Sequence, residues 1–175
     1  MVNLSEKVEA PRGGSSLPTL TLTLDARRRS RLLARLDDGR EAAIRLPRGA
    51  SLRDGDVLRG DDGELVRVRA APEALSVART TDSMLLLRGA YHLGNRHVPV
   101  QLGDGWLAYE HDHVLDDMVR GLGLTVEPRT APFEPEGGAF QHGGHSHGHE
   151  HHHGHDHEHH DHEHHHHGGG HHHHG

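Results

Sequence analysis

The chain has 175 residues, enough for one ordinary domain or two small ones. Twenty of its 24 histidines lie between His142 and His174, in a segment (142–175) that otherwise holds only Gly, acidic residues and one Ser, so one compact domain over the full length is excluded. The first 141 residues carry 19 basic and 21 acidic side chains, and aromatics make up only 3 % of the chain. Asp25, Asp37, Asp38 and Glu41 sit among Arg27 to Arg29, Arg31, Arg35 and Arg40, so these arginines read as a solvated face and no nucleic-acid partner is expected. Without cysteine there are no disulfides and no thiolate metal sites. MVNLSEKVEAP lacks an apolar signal-peptide core, and no hydrophobic stretch exceeds the four residues of Met84 to Leu87. No membrane contact is expected, and the cytoplasm is the default location.

In chain order, residues 1–17 read as a flexible leader, with Pro11 and the Gly13-Gly14-Ser15-Ser16 run. Leu20, Leu22 and Leu24 then alternate with threonines, the signature of a half-buried strand. Asp38-Gly39 separates Leu32–Leu36 from Ala42–Leu46, and Asp62-Gly63 separates Val57-Leu58 from Leu65–Ala70. Asp-Gly is a short hairpin signal because the tightest turn needs positive φ at both central positions. A small all-β domain over 18–72 follows.

From Pro72 the pattern changes. Glu73–Arg79 predicts a strand, and Thr81-Asp82-Ser83 offers an N-cap to a helix on which Met84, Leu87 and Tyr91 repeat beside Leu86, Ala90 and Leu93, with Gly94 as its stop. Val98, Val100 and Leu102 alternate, Gly103-Asp104-Gly105 turns the chain, and Trp106–Tyr109 returns. Asp112 caps a second helix striped by Val114, Leu115, Met118, Val119 and Leu122. Asp116 and Asp117 favour its positive end, and Gly121 or Gly123 ends it. With Leu124–Glu127 the order is βαββαβ, a ferredoxin-like domain over 73–130. The prolines 128, 132 and 135 then suggest an irregular exit (131–141) into the tail (142–175). The fold class is α+β: an N-terminal all-β domain, a ferredoxin-like metal-binding domain and a disordered His-rich tail.

The tail carries the strongest chemical signal. Neutral imidazole is a good ligand for Ni²⁺, Zn²⁺ and Cu²⁺, and ligands one to three residues apart close a chelate at little entropic cost. The candidate ligands are His142, His145, His147, His149, His151, His152, His153, His155, His157, His159, His160, His162, His164, His165, His166 and His167. At about three to four imidazoles per ion, the tail could hold roughly five or six ions. A purification tag would be an uninterrupted run, whereas Gly, Asp and Glu interrupt this one; only His171 to His174 could be a vector remnant.

Four histidines remain in the body. His111 and His113 flank Asp112, and if that junction is extended they project to one side and can share an ion; otherwise they are exposed capping-region residues. His97, in Gly94-Asn95-Arg96-His97-Val98-Pro99, reads as structural on spacing alone, and so does His92 on the helix.

Tyr91-His92-Leu93-Gly94-Asn95-Arg96-His97-Val98-Pro99, then Glu110-His111-Asp112-His113-Val114-Leu115-Asp116-Asp117-Met118 and Pro132-Phe133-Glu134-Pro135-Glu136, resembles the UreE family of urease accessory metallochaperones. With the tail, the likeness covers roughly residues 18–175. It implies an N-terminal β domain joined to a ferredoxin-like metal-binding domain, Ni²⁺ as cargo, and apo-urease and an accessory GTPase as partners. It further implies that His97 is an interfacial nickel ligand and that His111 and His113 are a flanking metal-binding pair. Glu110 departs from the relatives that place another His there. The resemblance overturns the structural reading of His97: one imidazole cannot hold a divalent ion, but a homodimer axis presents it twice. Two other functions compete. One is a nickel or zinc storage protein acting through the tail, which truncation at Gln141 would abolish. The other is a metal-dependent hydrolase on His97, His111 and His113, for which no nucleophile or His-Glu-x-x-His motif exists.

Overall fold

Both Asp-Gly pairs close hairpins, but in longer turns than the two-residue kind. The structure, a computed structural model, describes residues 1–11 and 16–137. Strands β3 (Arg31–Arg35) and β4 (Glu41–Arg45) pair antiparallel, as do β5 (Val57–Gly60) and β6 (Leu65–Ala70). Gly39 and Gly63 lie at φ 92° and 85°, whereas neither Asp38 nor Asp62 has positive φ. Gly39 N–H donates to Leu36 O (2.9 Å) and Gly63 N–H to Gly60 O (2.9 Å), so each loop is a three-residue turn ending in a left-handed glycine.

With β1 (Val2–Val8) and β2 (Thr19–Leu22) these strands form one six-stranded sheet, in the order β2-β6-β5-β1-β4-β3. Val2–Val8, expected to lie in a loose leader over 1–17, are therefore part of the sheet. β1 lies inside the sheet, parallel to β4 and antiparallel to β5, with Val2 and Leu4 buried. Its apolar alternation is too short to read because a bulge follows Leu4. The charged residues beyond it pair outward, Lys7 with Asp56 (2.8 Å) and Glu6 with Arg59. Arg12 to Ser15 lie outside the described residues.

The expected Leu20–Leu24 strand stops at Leu22, where Thr23 caps the single turn α1 (Leu24–Arg27). Arg27 corrects the solvated-face reading of the arginines: only 1 % of it is exposed. Its guanidinium donates to Leu22 O (3.3 Å), Leu52 O (3.5 Å), Phe133 O and the Glu134 carboxylate.

The second sheet follows the expected βαββαβ order. Strands β7 (Pro72–Arg79), β8 (Gln101–Gly103), β9 (Trp106–Glu110) and β10 (Thr125–Pro132) are antiparallel in the order β10-β7-β9-β8, with α2 (Ser83–Gly94) and α3 (His113–Gly121) as crossovers. Ala78, Leu107, Tyr109 and Val126 of the sheet pack with Leu93 of α2 and Val119 of α3. On the other face Leu75, Val77 and Ala108 meet Leu24 and Phe133. The irregular exit expected from Pro128 and Pro132 is instead strand as far as Pro132; β10 is an edge, where a missing N–H disturbs no neighbour. Val98 to Val100, expected in a strand, precede β8, which begins at Gln101. Among the described residues no helix is long and apolar enough to cross a membrane. The tail, expected to be disordered, lies outside the described residues.

Candidate metal centre

α2 does not stop at Gly94 by a glycine cap. The Asp82 carboxylate opens the helix, accepting from Met84 N–H (2.8 Å) and Leu85 N–H (3.3 Å). At the far end His97 N–H bonds Gly94 O (2.9 Å) and Val98 N–H bonds Leu93 O (3.2 Å), the paired bonds of a Schellman turn. That turn needs one left-handed residue, and it is His97 at φ 57°, the one non-glycine residue of positive φ among those described. The conformation costs a non-glycine residue about 1 kcal/mol or more. Val98 closes over the reversal by packing against the cluster that contains Leu93, and His97 stays exposed.

The same helix is apolar on two sides. Leu86, Ala90 and Leu93 turn inward as expected and Leu85 joins them, but Met84, Leu87 and Tyr91, read as part of the same buried stripe, are 61 %, 63 % and 65 % exposed. Positions i, i+3 and i+7 make them a continuous outer strip ending one turn before the His97 reversal. His92 stays on the helix, its ring edge-on to Tyr91 at 5.4 Å.

His111 and His113 lie at the β9–α3 junction. Asp112 between them is extended (φ −145°, ψ 122°), which meets the condition for their projecting to one side. Its carboxylate caps α3, accepting from Val114 N–H (2.7 Å) and Leu115 N–H (3.1 Å). Those two backbone N–H groups, aided by the neighbouring His113 and His111, hold its pKa below the ordinary carboxylate value. Glu110 and Asp112 stay exposed, whereas Asp116, expected only to favour the helix terminus, is buried and accepts from the Tyr109 hydroxyl (2.9 Å). Burial, then the bond to Asp116, push the Tyr109 pKa well above its ordinary value, so the phenol keeps its proton. His111 Nδ1 lies 2.9 Å from Ser76 Oγ and 3.5 Å from Asp116 Oδ2. Sequence reasoning missed Ser76 and Tyr109: Ser76 alternates with Leu75 and Val77 on a strand buried on both faces, so its phase gave no signal.

Beyond β10 the Pro132-Phe133-Glu134-Pro135-Glu136 motif straps the chain back. Phe133 is buried, Glu134 N–H bonds Gln101 Oε1 (3.0 Å) and Glu136 N–H bonds Val100 O (2.8 Å), three residues after His97. Among the described residues no three His, Asp or Glu side chains are gathered so as to hold an ion. His97, His111 and His113 are therefore not brought into one three-ligand site, which the hydrolase reading requires. The tail ligands His142 to His167 lie outside the described residues.

The chain matches the family model described as UreE urease accessory protein, N-terminal domain, over residues 4–71, and its C-terminal-domain counterpart over residues 73–160. A urease accessory protein UreE of Pseudomonas putida is 56 % identical over 146 residues, 83 % of this chain and 87 % of the relative. Its namesake in Burkholderia ambifaria is 60 % identical over 128 residues, 73 % and 63 % of the two chains. That of Alkalilimnicola ehrlichii is 54 % identical over 140 residues, 80 % and 85 % of the two.

Proposed function

The chain belongs to the UreE family of urease accessory proteins, and from that premise we propose that it is a nickel metallochaperone that delivers Ni²⁺ to apo-urease while the urease active site is assembled. The family is one of accessory proteins and not of enzymes. The protein works in the cytoplasm as a homodimer, with apo-urease and the urease accessory GTPase as partners. Ni²⁺ is its cargo, and Zn²⁺ or Cu²⁺ can occupy the same imidazoles.

The observation that carries this reading is the pairing of an exposed, left-handed His97 with the exposed Met84–Leu87–Tyr91 strip on the helix that it ends. A helix apolar on both sides calls for a second partner surface, and a two-fold axis along the strip gives the simplest one. That axis doubles His97 and supplies half a coordination shell. His111 and His113 serve as an auxiliary pair beside it. The strap supports a role for the tail: His142 comes six positions after Glu136, which is bonded beside the His97 loop, a reach of about 20 Å when extended. Tail imidazoles or water then complete a shell that is never closed, as a carrier requires, since a closed cage would release its ion slowly.

The test is transfer. The nickel-loaded chain, mixed with apo-urease, the GTPase and a competing chelator, should restore urease activity where the same total Ni²⁺ without it does not. Equal activation by chelated nickel alone would contradict delivery.

A further inference from the structure

We propose that Ser76, Tyr109 and Asp116 are positioning residues that lock the His111 imidazole in one tautomer, with hydrogen on Nδ1 and the lone pair of Nε2 presented to a divalent cation. The inference rests on the reading of His111 as a metal ligand and deepens it.

Buried polar groups are rare here. Among the described residues only Arg27, Ser76 and Asp116 are buried polar or charged side chains, and two of the three converge on His111. Ser76 and Tyr109 sit directly opposite each other on β7 and β9. His111, two residues past Tyr109, projects to the same side of the sheet, and its N–H donates to Ala74 O (3.0 Å). The side chains then run in series: Nδ1 of His111 at 2.9 Å from Ser76 Oγ, Ser76 directly across the β7–β9 pairing from Tyr109, and the Tyr109 hydroxyl at 2.9 Å from Asp116 Oδ1.

The proton order follows from the far end. A carboxylate only accepts, so the Tyr109 O–H donates to Asp116. The Tyr109 oxygen is then left as acceptor, and the Ser76 O–H turns to it. The Ser76 oxygen in turn accepts, and the one proton available to it is the Nδ1–H of His111. Asp116 Oδ2, 3.5 Å from Nδ1, favours hydrogen at the same atom. Neutral imidazole carries one N–H, so Nε2 keeps its lone pair, at the outer end of a side chain 49 % exposed. A half-exposed histidine could bond water instead, and the buried trio is satisfied without it. Holding the ring therefore serves its orientation, as carboxylate-linked histidines do at metal sites.

The test uses the full chain labelled with ¹⁵N-histidine, the His111 ring signals being those lost in His111→Ala. In metal-free protein above the imidazole range, at about pH 8, these signals should show hydrogen on Nδ1. Ser76→Ala removes the acceptor, and Tyr109→Phe frees the Ser76 hydroxyl to donate to Nδ1, although Tyr109 is not hydrogen-bonded to the ring. Both variants should move the proton to Nε2. Ni²⁺ titration followed at the same signals should then need about ten-fold more metal or worse in each variant. Ser76→Ala is a small change, so it decides the matter if Tyr109→Phe fails to fold. Parent tautomer and parent nickel response in Ser76→Ala would overturn the relay. A parent whose His111 signals ignore Ni²⁺ would overturn the ligand reading beneath it, whatever the tautomer.

Discussion

His97 and Gly123 hold the same station in the turns that end α2 and α3. Gly123 N–H bonds Arg120 O (2.9 Å) and Leu124 N–H bonds Val119 O (3.3 Å), repeating the register of His97 and Val98 on Gly94 and Leu93. One site is filled by glycine at φ 105°, the residue that adopts this conformation freely, and the other by histidine at φ 57°. The backbone thus tolerates glycine there, and the imidazole is kept against the local preference.

His97→Gly separates the two roles. It should leave the protein as stable as the parent or up to about 1 kcal/mol more stable, because left-handed strain is relieved. His97→Ala keeps the strain and should melt no higher than the parent. Both should lose the tightest nickel site while the tail keeps its capacity. Thermal unfolding and nickel calorimetry on the two variants check this, and a tight site retained in either would return His97 to a structural role.

The outer strip of α2 makes a second prediction. Leu87 is exposed, so Leu87→Asp should leave the protomer folded but place two carboxylates at the proposed axis. Light scattering should show a dimer for the parent and a monomer for the variant, and the tightest nickel site should vanish with the dimer. A variant that stays dimeric would place the interface elsewhere.

Arg27 joins the first sheet to the strap. Arg27→Leu would leave the Phe133 carbonyl without its donor and the Glu134 carboxylate without its guanidinium partner, at a cost of about 3 kcal/mol or more. Urea unfolding should show a midpoint lowered accordingly. A change within about 0.5 kcal/mol, the range of an ordinary surface substitution, would mean that the clamp contributes nothing.

Asp37 makes the acid limb testable. The Thr19 hydroxyl, then the hydroxyl and N–H of Thr21, hold its carboxyl below the ordinary value of 3.8 despite some burial. A folded pKa below the unfolded one stabilises fully above the unfolded value, and the benefit is lost as pH falls through the folded value. The stability gap between parent and Asp37→Asn should thus hold steady down to about pH 4 and close below it. Urea midpoints against pH measure it, and a gap independent of pH would contradict the assignment.

Much of this fold was legible because its signals are local. Each Asp-Gly pair marked its hairpin even though the turn is one residue longer than the tightest kind, since a left-handed glycine serves both. Asp82 and Asp112 cap their helices through bonds to the next few N–H groups, which a short window contains. What escaped notice depends on distant partners. β1 is a strand because β4 and β5 flank it, and Pro128 is strand-compatible only because β10 is an edge. Arg27 is buried because groups more than a hundred residues away receive it. At the candidate site, spacing offered His111 and His113 as a pair, but His97 on spacing alone looked structural; its left-handed backbone and the exposed strip beside it are three-dimensional facts.

The measurement that bears most directly on the nickel reading is Ni²⁺ stoichiometry by calorimetry, on the full chain and on residues 1–141. Both sheets and all three apolar clusters lie within residues 1–137, so the shorter chain keeps the folded part. The full chain should bind several ions per protomer, about five or six if every tail imidazole is used. Residues 1–141 should bind about one tight ion per dimer, absent when His97 is glycine. A shortened chain that kept most of the metal, or that bound none tightly, would contradict a carrier built on a His97 pair with a histidine tail.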